Sequence, residues 1–535
     1  MFPSRMRKSQ LLLLVLVVIF AARLLHTAHE KSFTVDEPHY IGTALYLWET
    51  GDYHFWRATR LHPPLAFHIA GLPLLALDLG ELPVGPNLGL YFVNRPHPAV
   101  DQLRVWTRIP FILLACWGAV LAFLWAREAS GDAAGLLAAL LYTLSPTLLA
   151  NGGIVHSDIT VTVFYLQTLY AFWRWCRRPT LGRLALCGAS LGLALISKHS
   201  ALLLLPTLAA LLAGIALGRP PLLEEESRLG PAGRMARLWW ALGMFLGMLA
   251  VSIGVLWLGY GGSFAVVEAG GRTAPSYLQS LLWFDQANDL GRMAFLFGEF
   301  SPRGWWYFFP VVFVMKTPIG MLGLIALAGI ARWRGIRPAE TVLLVSILLY
   351  SFVACFVWKI PMGLRYVLPT LPLLHIWVGI RLAALTSTWR RIPIAICCVW
   401  LGIASLWIHP HYLAYFNELA GGPRQGYRHL VGSDLDWGQD LGSLARELEA
   451  RGNPPLWLAY FGLEKPEHYG LRAKPLVGCE PVDGLVAISA SVLQRMYAPP
   501  GSHLPAPEGC YAWLLAQKPV AYIGYSILLY DVTDP

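Results

Sequence analysis

Two adjacent carboxylates, Asp36 and Glu37, stand just past the end of the first apolar segment of the chain. A carboxylate at a membrane surface can act as a general base, provided that it is ionised and within reach of an acceptor hydroxyl. The alternative is structural, because Thr34-x-x-Glu37 fits a helix capping box and Pro38 suits a first helical turn. That alternative leaves Asp36 without a structural reason, so Asp36 is the stronger catalytic candidate.

A second acidic position, Asp158, follows His156 and Ser157 and stands directly before an apolar segment. Ser and Asp both favour the N-cap of a helix, so capping is one interpretation and a place in a binding pocket is the other. His62, followed by two prolines, leads into a further apolar stretch. The prolines would make a rigid turn there, and His62 is the residue that could instead face a substrate.

Membrane spans must position these residues. Hydrophobic residues make up 56% of the chain and charged residues 14%, with a mean hydropathy of +0.51, whereas soluble proteins carry about 25% charged residues. Apolar runs long enough to cross a bilayer recur from residue 10 to about 408. We therefore predict a transmembrane domain over 1–409 and a soluble domain over 410–535, which is richer in Asp, Glu, Gly and Pro.

The predicted fold of the membrane part is an all-α polytopic bundle of about eleven transmembrane helices. The first run continues past Arg23 without a small-residue cleavage site, so we expect an uncleaved span rather than a signal peptide. The predicted spans are 10–27, 106–126, 133–150, 158–175, 183–197, 200–217, 238–258, 305–330, 340–358, 364–385 and 392–408.

A twelfth apolar stretch, 65–80, is short, and positive charge decides whether it crosses the membrane. If it does not cross and the N-terminus is cytoplasmic, the Arg groups within 174–183, 219–237 and 332–337 all face the cytoplasm, as the positive-inside rule requires. We therefore expect an interfacial or re-entrant helix there. Long non-cytoplasmic loops at 28–103 and 260–304, and the C-terminal domain, would then lie on one side.

Several function classes are excluded by what the chain lacks. The net charge of +9 comes from Arg and Lys between apolar runs, so it does not indicate nucleic-acid binding. The sequence has no phosphate loop and no dinucleotide fingerprint, and no cofactor is expected. Residues 434–440 have the acidic spacing of a calcium loop, but position twelve is Ala445 instead of the required Glu, so we predict no calcium site.

The C-terminal domain is predicted to be a small α/β unit over the mouth of the site. Leu441, Leu444, Ala445 and Leu448 share one face of a helix over 441–451. Apolar stretches at 456–461, 485–488 and 520–529, separated by Pro and Gly, predict strands. If the domain is extracytoplasmic, its two cysteines could form a disulfide; they are Cys479 and Cys510.

The order of these motifs resembles the protein O-mannosyltransferase and aminoarabinose-transferase superfamily, glycosyltransferase family 39, which has the C-type (GT-C) membrane fold. The resemblance covers roughly residues 10–410. The motifs that carry it are Asp36-Glu37, His62-Pro63-Pro64-Leu65, Arg108-Ile109-Pro110, Asp158, Gly298-Glu299-Phe300-Ser301-Pro302, Gly304-Trp305-Trp306-Tyr307 and Arg365-Tyr366-Val367-Leu368-Pro369.

The resemblance implies a glycosyltransferase that takes sugar from a polyprenyl-phosphate carrier on the non-cytoplasmic face. It implies Asp36 as catalytic base, Glu37 in support and Asp158 lining the pocket. The expected location is a bacterial-type inner (plasma) membrane, in contact with membrane lipids, with a cytoplasmic N-terminus and a non-cytoplasmic C-terminus. The acceptor stays open between lipid, glycan and protein. Loop 260–304 is too short for the β-trefoil of the eukaryotic members, and the tail has no familiar counterpart.

A phosphate leaving group requires fixed cations, because they stabilise the charge that grows on the leaving oxygen. A single phosphate, unlike a nucleotide diphosphate, does not oblige the enzyme to use a metal, and none is predicted. Each cation could instead be an interfacial residue that extends to the membrane surface. Arg108 and Arg365 are preferred since both lie within family-like motifs. The full set of candidates is Arg108, Lys198, Arg303, Lys316 and Arg365.

Two other classes remain as alternatives, a multi-span secondary transporter and a non-catalytic envelope-assembly protein. A transporter would show inverted repeats and charges buried at mid-bilayer. The sequence has no internal repeat, and its notable ionisable residues lie at span ends on one side. The non-catalytic alternative depends on whether Asp36 is dispensable.

Overall fold

A computed structural model of the protein describes residues 8–53, 62–76, 100–218, 233–269, 272–331, 335–385, 388–497 and 506–532. Some residues that the topology prediction used lie outside these ranges. They are Arg5, Arg7, Arg219, Arg228, Arg332, Arg334 and the end of the short apolar stretch, 77–80.

Helices make up the part of the chain that the sequence predicted to be membrane-embedded. Those in the first half are Lys8–Glu30, Glu37–Thr50, Leu65–Gly71, Val100–Ser130, Asp132–Leu144, Pro146–Asn151, Ser157–Arg177, Leu181–Leu195 and Leu204–Ala216. Those in the second half are Arg234–Gly259, Ser276–Leu290, Phe308–Lys316, Ile319–Ile330, Pro338–Phe356, Thr370–Ala383 and Thr388–Trp407.

By length and apolar composition, five helices of the described chain can cross a membrane, or six if one bent pair counts as a single span. The shorter apolar helices, such as Leu181–Leu195 and Thr370–Ala383, fall on predicted spans but do not meet this length. The predicted number of eleven spans therefore stays a prediction.

The predicted single span 305–330 is wrong in shape. It consists of Phe308–Lys316 and Ile319–Ile330, which meet at 113°. Pro318 lies at the break; proline lacks a backbone N–H and pushes the residue before it out of the helical region. The structure thus bends the chain where the sequence interpretation ran a helix straight through.

The stretch predicted to be interfacial or re-entrant begins as the helix Leu65–Gly71 and continues as a 3-10 turn, Leu72–Ala76. The α-helical part rises about 1.5 Å per residue and the 3-10 part about 2.0 Å, so together they reach about 20 Å. This is well short of a hydrocarbon core of about 30 Å. The helix buries Ala66 and Phe67 against the bundle. This helix follows closely after His62, one of the candidate site residues.

Glycines allow two neighbouring helices of the bundle to pack closely. A Cβ on Gly188 would lie 2.7 Å from the carbonyl oxygen of Met248, and one on Gly192 would lie 2.9 Å from that of Ser252. Small residues at such crossings let helix backbones approach each other, the usual device inside membranes. This packing joins Leu181–Leu195 to Arg234–Gly259.

Two short hairpins lie in the predicted loop 260–304, on either side of the helix Ser276–Leu290. The first pairs β1 (Val266–Ala269) with β2 (Arg272–Pro275), and the second pairs β3 (Ala294–Leu296) with β4 (Glu299–Ser301).

The tail folds into a five-stranded sheet in the order β6-β5-β7-β9-β8. Its strands are β5 (Leu456–Ala459), β6 (Ala473–Pro475), β7 (Gly484–Ser489), β8 (Ala521–Ile523) and β9 (Ile527–Val532). β5 pairs in parallel with β6 and β7, whereas β9 runs antiparallel to β7 and β8.

The predicted helix of the tail and the strands predicted at 456–461 and 485–488 are confirmed. The stretch 520–529, predicted as one strand, is wrong in form, because it turns between two antiparallel strands, β8 and β9. The helix Leu441–Ala450 buries Leu441, Leu444 and Leu448 in a cluster with the inner face of the sheet. β6, at the edge, was not predicted, because Ala473-Lys474-Pro475 has no apolar pattern. Cys479 and Cys510 form a disulfide. Two short helices complete the tail, Ala490–Leu493 and Ala512–Leu515.

Candidate active site

A buried ion pair between Arg108 and Glu37 holds the loop that follows the first helix, where Asp36 lies. Nη2 of Arg108 lies 2.7 Å from Oε2 of Glu37, and Nε donates to Oε1 at 2.8 Å. The remaining N–H groups of Arg108 donate to the backbone carbonyls of Ala28, Lys31 and Ser32 at 2.8–2.9 Å. The guanidinium therefore holds together the end of the first helix and the loop that follows it.

This geometry does not support the prediction that Arg108 binds the donor phosphate. All five of its N–H bonds donate to protein oxygens, and the residue is 3% exposed. A guanidinium has only five donors, so none remains for a ligand. Arg108 positions the loop instead.

Glu37 lies at the centre of this arrangement and is fully buried. It also accepts hydrogen bonds from the backbone N–H groups of Thr34, at 2.7 Å, and Val155, at 3.1 Å. Burial alone would raise the pKa of Glu37, but the charge and hydrogen bonds of Arg108 outweigh it and lower that pKa. Half of the predicted capping box is present, since Thr34 Oγ1 is buried with no partner in the described part of the chain.

Asp36 immediately precedes the helix Glu37–Thr50 and turns its carboxylate the other way. Its side chain is 36% exposed, and Oδ2 lies 3.3 Å from Nε2 of His156 and 3.4 Å from Nη1 of Arg365. Burial would raise the pKa of Asp36, but the hydrogen bond with His156 and the charge of Arg365 outweigh it and hold that pKa well below its usual range. Asp36 is therefore ionised at neutral pH.

Asp158 lies in the first turn of Ser157–Arg177, where it meets two cations. Its Oδ1 accepts a hydrogen bond from Nζ of Lys198 at 2.5 Å. Its Oδ2 lies 2.8 Å from Nδ1 of His156 and 3.4 Å from Nη1 of Arg365. The N-cap of this helix is His156, not Asp158. The capping interpretation is therefore wrong for Asp158, and the residue belongs to a cluster of opposite charges.

Arg365 joins the two acidic positions. Its Nη1 contacts both Asp36 and Asp158, and its guanidinium carbon lies 4.2 Å from the ring centroid of Trp437 and 5.7 Å from that of Tyr366. Nε donates to a backbone carbonyl at 3.3 Å. Among the residues that the structure describes, Nη2 has no protein acceptor. Arg365 therefore has N–H groups left to donate to a ligand, whereas Arg108 has none.

The other predicted cations lie in different surroundings. Lys198 is 6% exposed and places Nζ 4.3 Å from the ring centroid of Tyr366, so it belongs to the cluster. Lys316 is buried, donating to the carbonyls of Leu413 and Asp434, which makes it structural. Arg303 is exposed on the segment after β4, so the structure does not bring it to the cluster.

His62 approaches the cluster from the other side. Its ring centroid is 5.8 Å from that of His156 and 5.8 Å from that of Tyr40. Nδ1 of His62 is buried without a hydrogen-bond partner in the described chain. Burial is the main cause that holds the pKa of His62 well below its usual value, so its ring is neutral at neutral pH. The predicted His62 therefore lies at the site, as a neutral imidazole.

Sequence reasoning missed two residues of this cluster. His156 bridges Asp36 and Asp158, and its position two residues before Asp158 was the available signal. Trp437 covers Arg365 from the tail, in a segment that the sequence suggested only as a rejected calcium loop. No group of three or more His, Cys, Asp or Glu in the described ranges is arranged to hold a metal ion.

A known protein family and solved structures identify the fold of this chain. Residues 101–227 match the family model described as dolichyl-phosphate-mannose-protein mannosyltransferase. The crystal structure of ArnT from Cupriavidus metallidurans in the apo state superposes with a TM-score of 0.52 at 14% identity, over 96% of this chain and 97% of ArnT. The same protein bound to undecaprenyl phosphate superposes with a TM-score of 0.52 at 13% identity, over the same shares. The chain has the GT-C glycosyltransferase fold.

The family match over 101–227, together with this fold, confirms the predicted resemblance to ArnT-like and PMT-like membrane glycosyltransferases. It also confirms the fold class, a mostly helical multi-pass bundle with a small sheet region at the C-terminus. None of the curated proteins matches the sequence. The domain boundary after residue 409, the side of the membrane on which each terminus lies and the roles of the site residues stay predictions.

Proposed function

We propose that this GT-C protein transfers a sugar from a polyprenyl-phosphate carrier to a hydroxyl or phosphate oxygen of an envelope acceptor, with Asp36 as general base. The observation that carries the proposal is a difference in exposure among three carboxylates. Asp36 is 36% exposed, whereas Glu37 and Asp158 are 0% and 2% exposed. Of these three, Asp36 can meet an acceptor oxygen, and the other two serve to hold the site together.

The donor phosphate would lie against Arg365. Its Nη2 is directed to no protein acceptor among the described residues, while Nη1 anchors the guanidinium to two carboxylates. A guanidinium is well suited to phosphate because its donors lie in one plane. Lys198 adds a second positive charge through its contact with Asp158. ArnT of C. metallidurans has been solved with undecaprenyl phosphate, which agrees with this class of donor.

In the proposed reaction the acceptor oxygen bonds to the anomeric carbon of the sugar as the bond from that carbon to the carrier phosphate breaks. The phosphate oxygen keeps the bonding electrons, and Arg365 stabilises the charge that grows there. The acceptor proton passes to Asp36.

The proposed setting follows from the predicted topology. The donor and acceptor would meet on the non-cytoplasmic face of a bacterial-type inner membrane, where the long loops and the tail are expected. The acceptor is a lipid, a glycan or a protein of the envelope. Membrane lipids surround the bundle, because large apolar side chains such as Leu348 and Phe352 are exposed on it.

Transfer from a purified polyprenyl-phosphate sugar tests the proposal. Asp36→Asn keeps the shape of the side chain but removes the base, so turnover should fall about 10²–10⁴-fold, the usual contribution of general-base catalysis. Asp289→Asn is the matched control, since Asp289 is exposed and forms a surface salt bridge with Lys359. Wild-type turnover by Asp36→Asn at saturating donor would remove Asp36 from the role. Solute flux without any sugar transfer would favour a transporter.

A further inference from the structure

The segment Gly432–Asp440 of the tail, here called the tail loop, contacts the two segments that carry Asp36 and Arg365 and the ring of His156. The sequence singled out its acidic residues only to reject calcium, and the proposed chemistry does not use them. In the structure its backbone, the carboxylate of Asp434 and its one tryptophan face the bundle. Three sets of contacts show what the tail loop does.

The first set holds the strand that leads to Asp36. The backbone N–H of Ser32 donates to the carbonyl of Gln439 at 3.0 Å, and that of Val35 donates to the carbonyl of Trp437 at 2.9 Å. Buried backbone groups need such partners, and here the tail provides them. The carboxylate of Asp36 is therefore placed partly by the tail loop.

The second set holds the segment that carries Arg365. Oδ1 of Asp434 accepts a hydrogen bond from the backbone N–H of Leu364 at 2.9 Å. Gly363, just before, has φ +86°, and a Cβ there would lie 2.5 Å from the Asp434 carboxylate. Glycine is thus required by both the backbone conformation and the close approach. Asp434 also accepts from Nζ of Lys316 through its carbonyl, at 2.5 Å.

The third set is the indole of Trp437 itself. The guanidinium carbon of Arg365 lies 4.2 Å from its ring centroid, and the ring of His156 meets it edge-on at 5.5 Å. Trp437 is 3% exposed, and its indole packs against Arg365 and His156. A cation over an indole at this distance is held by the ring quadrupole.

The far side of the tail loop is tied to the sheet. Oδ2 of Asp436 accepts from the backbone N–H of Ser491 at 2.9 Å, and Oγ of Ser491 accepts from the N–H of Gly432 at 3.0 Å. Asp440 accepts from Oγ of Ser526 at 2.7 Å and pairs with Lys31. Residues next to the ends of β7 and β9 therefore brace the loop against the bundle.

We propose that the tail loop is a part of the active site in cis, and that Trp437 is a positioning residue that holds Arg365 for the donor phosphate. This inference rests on the proposed function, since Arg365 is there assigned to the phosphate. It gives the tail a role in catalysis beyond covering the site. Because Arg365 would contact the phosphate both before and during transfer, loss of Trp437 should act mainly on KM for the donor.

The test compares Trp437→Leu and Trp437→Phe with wild type in transfer from a purified polyprenyl-phosphate sugar. Trp437→Leu should raise the donor KM roughly 10-fold, the scale of a buried cation–π contact, with a smaller change in kcat. Trp437→Phe keeps an aromatic face and should recover most of the loss. Trp457→Leu is the matched control, because Trp457 stacks under Lys474 on the sheet, in a contact separate from the cluster.

A double-mutant comparison separates positioning from general damage to the fold. If Trp437 acts through Arg365, Trp437→Leu should add little to the defect of Arg365→Ala, since contacting residues are not additive. Full additivity, or a Trp437→Leu variant that matches Trp457→Leu, would overturn the inference while wild-type transfer still supports the proposed function. No transfer by wild type would instead refute the proposed function and, with it, the assignment of Trp437.

Discussion

The Nε2 atom of His156 lies 3.3 Å from Oδ2 of Asp36 and 3.2 Å from Nη1 of Arg365. This nitrogen faces an acceptor on one side and a donor on the other. With a proton on Nε2 it donates to Asp36, and without one it accepts from Arg365. The basicity of Asp36 is therefore tied to the state of His156.

The pH dependence of sugar transfer should show that His156 affects the pKa of Asp36. Asp36 acts as a base only when ionised, so activity is lost as pH falls through its pKa, which the hydrogen bond of His156 and the charge of Arg365 lower against the effect of burial. Removing the imidazole in His156→Phe raises that pKa, so the acid limb of the pH–rate profile should move to higher pH. His468→Phe serves as a control. An unmoved acid limb would contradict the coupling.

Arg108 and Arg365, which the sequence analysis preferred together as phosphate-binding candidates, should differ in function. Arg365→Ala removes a preorganised donor and should lower transfer about 10²–10³-fold. Because Arg365 is buried and pairs with the buried Asp158, a fall in the melting temperature should accompany this loss. Arg365→Lys should recover only part of it, because an ammonium does not reproduce the planar fork of a guanidinium. Equal turnover of wild type and both variants would exclude Arg365 from the phosphate site. Steady-state rates and thermal unfolding in detergent measure the two effects.

The pair Glu37 and Arg108 should act on stability. Glu37→Gln leaves a buried guanidinium without its counter-charge, which typically costs about 3–5 kcal/mol. Because both residues are nearly inaccessible, we expect a large fall in melting temperature and in folded yield. The exposed pair Arg451 and Glu447 offers the control, as Glu447→Gln should change the melting temperature little. Similar melting temperatures for the two variants would contradict the role of the buried pair.

Asp436 should make the tail loop sensitive to pH. Its carboxylate is fully buried, and burial raises its pKa to about 7, above an ordinary value of about 3.9. The stability it contributes is complete below about pH 4 and is lost as pH rises to about 7. The Asp436→Asn variant has no carboxyl at this position, so it should not lose this stability as the pH rises.

The melting temperature of Asp436→Asn minus that of wild type should therefore be higher at pH 8 than at pH 5. Asp531→Asn, on the exposed side of β9, should show the same difference at both values. A pH-independent difference for Asp436→Asn would mean that the buried carboxyl does not titrate in this range.

The short-range features of the site followed from local sequence. The helix that begins at Glu37 has Pro38 in its first turn, as the sequence predicted. Two of the tail strands, β5 and β7, followed from apolar stretches of about the right length. These predictions succeeded because they depend on neighbours within one or two turns of the chain.

The assignments that failed concerned partners far apart in the chain. Arg108 and Arg365 look alike in sequence, as cations at the ends of apolar runs. One is enclosed by Glu37 and three carbonyls, while the other shares its Nη1 between Asp36 and Asp158. No local pattern distinguishes them, because the difference lies in which distant groups occupy their hydrogen bonds.

The sequence by itself determined that this is a multi-pass membrane protein with acidic and basic residues gathered at span ends, because hydrophobicity and charge bias act on each segment separately. Only the tertiary structure decided which of those charges meet. It brought Asp36, His156, Asp158 and Arg365 into one cluster and set Trp437 over it from a segment that follows the bundle in the chain. Such contacts depend on how the tail docks, which packing across the whole chain determines.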